Sequence, residues 1–152
     1  MKIIVFSDSH GNQINMEQAL KSEKADIAVF LGDGLGDLLQ LENEFLSVGF
    51  INIKGNCDLF RAGHTVFINT YDGVRIYATH GHIHKVKEGL ENLLSSARLR
   101  KADIALFGHT HTEMLKTIDG ITFLNPGSIG YGKTYGVIIT DNGRFDCEIK
   151  KL

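Results

Sequence analysis

Three short runs, Ile3 to Phe6, residues 26–31 (Asp-Ile-Ala-Val-Phe-Leu) and residues 103–107 (Asp-Ile-Ala-Leu-Phe), are apolar at nearly every position and then break into polar or glycine-containing turns. A strand with one wet face alternates polar and apolar residues. Runs like these read instead as strands covered on both faces, which demands a layer on each side. Between the first two, Ile14, Met16 and Leu20 are spaced for a helix over about Ile14 to Lys21. Leu38, Leu41, Phe45 and Leu46 are spaced for another over Leu38 to Leu46. A β-α-β-α opening of this kind places successive strands parallel. From about His64 hairpins take over. His64 to Asn69 joins Val74 to Thr79 through Tyr71-Asp72-Gly73, Met114 to Ile118 joins Ile121 to Leu124 through Asp119-Gly120, and Tyr135 to Thr140 joins Arg144 to Ile149 through Asp141-Asn142-Gly143. One longer helix, roughly Lys85 to Arg100, is expected to turn Val86, Leu90, Leu93, Leu94 and Ala97 inward. The fold class implied is α/β: a two-layer β-sandwich of mixed sheets flanked by helices. With 152 residues, 43% of them hydrophobic, a single domain over residues 1–152 is expected.

Charge and cysteine usage remove several classes of function. The 16 basic and 18 acidic side chains nearly cancel and are scattered, so no basic stripe marks a nucleic-acid footprint. The densest basic group, Arg98, Arg100 and Lys101, suits a helix end. Two cysteines, Cys57 and Cys147, do not make a secreted disulfide framework, and no stretch approaches the roughly 20 apolar residues of a membrane helix. The expectation is a soluble, cytoplasmic protein without a membrane partner.

The polar clusters at the strand ends carry the chemistry. They are Asp8-Ser9-His10, Gly32-Asp33-Gly34, Gly55-Asn56-Cys57-Asp58, His80-Gly81-His82 and Gly108-His109-Thr110-His111, with Asn125-Pro126-Gly127-Ser128 as a sixth. Taken singly, the first three read as a helix cap or ordinary turns. Paired histidines beside glycine rarely serve packing, and all of these clusters follow strand-like runs. In an α/β sheet the loops beyond the carboxyl ends of the strands converge on one crevice, so they should meet there. Asp offers a hard anionic oxygen, His a neutral nitrogen and Asn a carbonyl oxygen, a mixture suited to Mn²⁺, Fe, Ni²⁺, Co²⁺ or Zn²⁺ more than to Ca²⁺ or Mg²⁺.

This ordered series resembles the signature of the calcineurin-like metallophosphoesterase superfamily, in particular its small, single-domain, YfcE-like phosphodiesterase branch. The resemblance runs from Lys2 to about Gly130 and implies an αββα sandwich. It further implies that Asp8, His10 and His111 hold one metal ion, that Asn56, His80 and His109 hold a second, and that Asp33 bridges them. Two divalent ions, with Mn²⁺ favoured, would flank a hydroxide that attacks phosphorus, because coordination brings the pKa of water towards neutrality. Asn56, Asp58 and His82 are then the expected catalytic group beside the metals. Many superfamily members carry His after the Asn, as proton donor or phosphate ligand with the next Asp orienting it. Here that residue is Cys57, whose usual pKa of about 8.5 suits the role poorly, and His82 becomes the substitute. The expected substrate is a small phosphate ester. Oligomeric state stays open, with a homodimer preferred to a monomer. His64 and His84 have no motif support and are expected to be structural or solvated.

Two other readings compete. Residues 127–134, Gly-Ser-Ile-Gly-Tyr-Gly-Lys-Thr, match the P-loop pattern letter for letter. A P-loop must run into a helix whose N-terminus cradles phosphate, whereas Tyr135 to Thr140 reads as a strand. The second is a non-catalytic scaffold on the same fold, like the retromer subunit that resembles these enzymes. Degraded metal positions would favour it, and none of the seven expected ligands is missing. A nuclease is a third alternative, set against the absence of a phosphate-tracking surface.

Overall fold

Successive side chains of the first strand fall on opposite faces, so Ile3 and Val5 enter one core while Ile4 and Phe6 enter another, and all four are shielded from solvent. The computed structural model, which describes residues 1–152, is organised around that double burial. In chain order its elements are β1 (Lys2–Phe6), α1 (Gln13–Glu23), β2 (Ile27–Phe30), α2 (Leu38–Glu44), β3 (Gly49–Asn52), β4 (Val66–Tyr71), β5 (Val74–Thr79), α3 (Glu91–Leu99), β6 (Ile104–Leu106), β7 (Glu113–Ile118), β8 (Ile121–Pro126), β9 (Thr134–Asp141) and β10 (Arg144–Lys151).

They form two five-stranded mixed sheets, ordered β10-β9-β1-β2-β3 and β4-β5-β6-β8-β7. The sheets share a core in which Ile3, Val5, Val29, Leu31 and Ile53 meet Val74, Ile76, Ala78, Ile104, Leu106 and Leu124. Helices α1 and α2 cover the outer face of the first sheet through Met16, Ala19, Leu20, Leu38 and Leu41. Helix α3 covers the second through Leu93 and Ala97, against Tyr77, Ala105, Phe107 and Phe123. Full burial of each such side chain stabilises the fold by roughly 1.5–3 kcal/mol, which is why the apolar runs cannot sit at an open face. The layering is the αββα sandwich expected from the sequence. No helix is long and apolar enough to cross a membrane.

Strands β1, β2 and β3 run parallel, as do β5, β6 and β8. Parallel strands end on the same side, so the residues that follow Phe6, Phe30, Asn52, Thr79 and Leu106 are gathered at one edge of the sandwich. The three hairpin turns form where the sequence places them. Asp72 and Gly73, Asp119 and Gly120, and Asn142 and Gly143 all adopt positive φ, between 46° and 84°, which matches the right-handed twist of the flanking strands.

Several local expectations need correction. The helix expected from Lys85 begins only at Glu91, because a single tight turn at His82–His84 ends in Lys85 with φ 54°, outside the helical region. Ile14 and Leu46, read as inward positions, are 64% and 85% exposed, and α2 stops at Glu44. The strand expected from His64 starts at Val66, with His64 making only an isolated bridge to Ile53. The P-loop pattern, by contrast, is followed by strand β9 as expected, so no helix N-terminus faces a phosphate there.

A buried ion network ties the chain termini to α1. Glu23 accepts from Tyr135 Oη at 2.9 Å and pairs with Lys2 at 2.5 Å and Lys150 at 3.0 Å. Burial by itself would push the Glu23 carboxyl up, but Lys2, Lys150 and Tyr135 together outweigh it and hold it down at about 2. A depressed carboxylate contributes stability that is complete above the unfolded value of 4.5 and is lost as pH falls towards about 2. Glu23→Gln should therefore destabilise the protein by about 1 to 2 kcal/mol at neutral pH, allowing for solvent screening of the two half-exposed lysines. Urea unfolding of both proteins from pH 7 to pH 2.5 checks this, and the gap between them should close below pH 4.5.

Candidate metal centre

The site is assembled by backbone contacts between loops that are distant in sequence. Asp8 N–H donates to Gly32 O at 2.9 Å, His10 N–H to Asp33 O at 3.2 Å, and Gly108 N–H to His80 O at 2.9 Å. The loops approach so closely that a methyl group on Gly32 would lie 2.4 Å from Gly55 N, and one on Gly55 would lie 2.0 Å from Asp33 Oδ1. Glycine at these two positions is therefore a packing requirement. Five of the seven expected ligands sit in left-handed backbone: Asp8 (φ 55°), His10 (45°), Asp33 (60°), His109 (69°) and His111 (58°). Each such residue costs on the order of 1 kcal/mol, and a cluster of them at one edge marks a place where geometry is held against local preference.

The side chains fall into two groups. Asp8, His10 and His111 form the first, and Asp33, His80 and His109 the second, each with donor atoms within 4.8 Å of one another. In the first, His10 Nε2 and His111 Nε2 are 3.4 Å apart, and His111 Nε2 is 3.2 Å from Asp8 Oδ1. Asp8 Oδ2 accepts from the Ser7 hydroxyl and from His109 N–H at 3.1 Å, but Oδ1 is buried and has no hydrogen-bond partner. A bare, buried carboxylate oxygen facing two imidazoles is costly unless a cation satisfies it, so these residues fit a divalent ion. In the second group His80 donates from Nδ1 to Leu31 O at 2.8 Å, which leaves the Nε2 lone pair facing inward. It meets Asn56 Oδ1 and His109 Nδ1, each at 3.2 Å, and Asp33 Oδ2 at 3.5 Å. Burial first, then His80 and Lys87, push His109 down to about 4 against the pull of Asp8 and Asp33, so its imidazole is neutral at physiological pH and free to bind metal.

The remaining expected residues have other surroundings. Asp58 accepts four backbone N–H groups, from Asp33 at 2.7 Å, Gly34 at 3.1 Å, Leu35 at 3.0 Å and Gly55 at 2.9 Å. Burial would push its carboxyl up, but the amides of Gly55, Leu35, Gly34 and Asp33 outweigh it and hold it below the usual range. With both oxygens accepting from backbone amides, Asp58 ties the Asp33 loop to the Asn56 loop. Cys57 donates its backbone N–H to Asp33 Oδ1 at 2.8 Å, and its thiol is exposed. Partial desolvation and then Asp33, Asp58 and Asp8 push that thiol up, so it stays protonated. His82 lies 5.3 Å from His80 and 6.2 Å from His109 between ring centres. Burial and His80 hold it below the ordinary histidine value, with Asp33 opposing. His84 is buried with Nε2 3.0 Å from Tyr77 Oη, away from the site, and His64 is exposed against Phe67.

The structure adds one supporting residue that sequence reasoning passed over, Asp37, and gives the sixth strand-end cluster a supporting role. Asp37 accepts from Ser9 Oγ at 2.6 Å and Gly11 N–H at 2.8 Å, holding the Asp8-x-His10 turn. Buried Asn125 donates to Gly108 O at 3.1 Å and Thr110 Oγ1 at 2.9 Å, shaping the loop that carries His109 and His111. Ser128 Oγ donates to Asp8 O at 2.7 Å. The clue for Asp37 was a second carboxylate four residues beyond Asp33. For Asn125 and Ser128 it was the sixth strand-end cluster, which holds the loops but supplies no ligand. The exposed Tyr131 ring rests 5.5 Å from His10 and 5.8 Å from His111.

Comparison with known proteins agrees with this fold. Residues 1–143 match the calcineurin-like phosphoesterase superfamily domain. Among curated relatives, the probable metallophosphoesterase YsnB of Bacillus subtilis is 30% identical over 129 residues, covering 85% of this chain and 75% of its own. A phosphodiesterase of Methanocaldococcus jannaschii is 25% identical, covering 95% and 96% of the two chains. Among solved structures, a predicted phosphoesterase from Streptococcus pneumoniae superposes with TM-score 0.81 at 26% identity over 99% of this chain and 88% of its own. Vps29 of Entamoeba histolytica, in a complex with Zn²⁺, superposes with TM-score 0.77 at 20% identity over 99% and 98% of the two chains.

Proposed function

We propose that this chain, which belongs to the calcineurin-like phosphoesterase superfamily, is a dinuclear metal-dependent phosphodiesterase acting on small phosphate esters. The observation that carries the reading is the buried Asp8 Oδ1, which accepts no hydrogen bond and has the exposed His111 imidazole 3.2 Å away in a site that holds a second Asp-His-His group, because a fold relieved of metal chemistry would have no reason to keep that cost. Asp8, His10 and His111 would hold one divalent ion and Asn56, His80 and His109 the other. Asp33, whose Oδ2 lies 3.5 Å from His80 Nε2, would be shared between them. The ions, when bound, supply Lewis acidity and an acidified water.

The chain's own residues do the rest. The amide-laden Asp58 keeps the Asp33 and Asn56 loops at a fixed separation, so that Asn56 can orient a phosphoryl oxygen. His82 would hand a proton to a leaving oxygen, and its depressed pKa would make it a poor reservoir. Cys57 is a poor replacement, since partial desolvation and then Asp33, Asp58 and Asp8 raise its thiol pKa and make it a weak proton donor. A site with weak general acid should prefer leaving groups that depart without protonation.

Purified protein depleted of metal and reloaded with Mn²⁺, Ni²⁺, Co²⁺, Fe²⁺ or Zn²⁺ should hydrolyse an aryl phosphodiester at least about 10²-fold faster than a simple alkyl monoester, the range that one general acid is worth. Equal rates would remove the argument from Cys57 and His82. The resemblance to Vps29 supports a second reading, a scaffold that keeps the fold and the metal without turnover. Metal at full stoichiometry with no hydrolysis of any ester would decide for that one.

A further inference from the structure

Beside the second ligand group lies a cleft of about 380 Å³, lined by Lys54, Gly55, Asn56, Leu59, Thr65 and His82. Asn56 belongs to both, and the His82 ring stands next to those of His80 and His109, so a phosphate ester at the metals would project one arm into this space. The volume is at the small end of the roughly 300–1,000 Å³ usual for small-molecule sites. Its lining is uneven. Leu59 offers an apolar wall that is 72% exposed in the free protein, and Thr65 a hydroxyl. Lys54 is the only cation, and it makes no ion pair anywhere in the chain. Its side chain is half-buried, with Cγ lying close over Gly63, so part of the stem is packed while the residue lines the cleft.

We infer that this cleft is the subsite for one ester arm, and that the arm it selects has a few apolar atoms next to phosphorus and carries its own anionic group, which pairs with Lys54. The inference rests on the phosphodiesterase reading for the position of the phosphorus, while the selectivity belongs to residues outside the metal-ligand set. A half-exposed ammonium without a competing carboxylate supplies about fivefold of discrimination between an anionic and a neutral arm.

Two measurements separate the parts. In the first, metal-loaded protein is given 2-carboxyethyl 4-nitrophenyl phosphate and ethyl 4-nitrophenyl phosphate. The parent should favour the carboxyethyl ester about fivefold in kcat/KM, chiefly through KM; Lys54→Met should erase the preference and Lys54→Arg retain it. In the second, calorimetry compares 3-phosphonopropionate with propylphosphonate, which have a single arm and cannot be hydrolysed, and the same ratio should appear and vanish in the same variants. Equal binding of the two phosphonates, or a preference that survives Lys54→Met, overturns the subsite. Discrimination in binding together with no turnover of either ester would uphold the subsite and sink the phosphodiesterase.

Discussion

Asp33→Asn is expected to lower phosphodiester turnover by more than about 10³-fold in kcat/KM while leaving the metal-free protein at least as stable as the parent. The two outcomes have separate causes. Asparagine keeps an acceptor for Cys57 N–H, which now bonds to Asp33 Oδ1 at 2.8 Å, and nothing in the turn requires the charge. Removing the charge relieves like-charge crowding, since Asp33, Asp58 and Asp8 all lie close enough to bias the Cys57 thiol. What is lost is the anionic oxygen facing His80 Nε2 at 3.5 Å, which the proposed site needs to keep two cations side by side. Metal stoichiometry by mass spectrometry should fall below two per chain, and thermal unfolding in chelator should show no loss. Full turnover in this variant would remove Asp33 from the site.

Asp58→Ala should act through the fold, with a loss of about 3 to 5 kcal/mol. Four N–H groups, those of Asp33, Gly34, Leu35 and Gly55, would lose their acceptor together, and each buried orphan costs about 1–3 kcal/mol unless water reaches it. Asp58→Asn should do little better, because its amide NH₂ would confront two of those donors where a carboxylate oxygen now accepts. The two loops so released carry Asp33 and Asn56, so metal affinity should fall with stability. Chemical denaturation and metal titration on the same variant check the pair. An Asp58→Asn protein of parental stability and reduced kcat alone would instead return Asp58 to proton handling.

These two neighbours in the signature show what a pattern conveys. Asp33 and Asp58 look alike in sequence, each an Asp in a glycine-containing cluster after a strand. Only the positions of distant amides separate a carboxylate left facing the histidines from one saturated by backbone. The same holds for Asp37 and Asn125, ordinary polar residues until the Ser9 hydroxyl and the Gly108 carbonyl are brought to them. The helix expected from Lys85 failed for a related reason: its apolar spacing was real at Leu93 and Ala97, but the chain needs a tight turn after His80 and Gly81 to keep the histidine loop at the site edge.

By itself the sequence determined what local chemistry can determine. Unbroken apolar runs required cover on both faces, Asp-Gly and Asn-Gly pairs selected turns with positive φ, and strand ends in a parallel sheet placed the polar clusters on one side. Tertiary structure decided how those clusters are shared out. His109 and His111 are two residues apart, yet one joins Asp33 and His80 and the other joins Asp8 and His10. It also decided that five of the expected ligands adopt left-handed backbone and that a cleft with an unpaired lysine opens beside Asn56. Those outcomes depend on hydrogen bonds and close approaches between loops as much as a hundred residues or more apart, such as His109 N–H to Asp8 Oδ2, and no local periodicity encodes them.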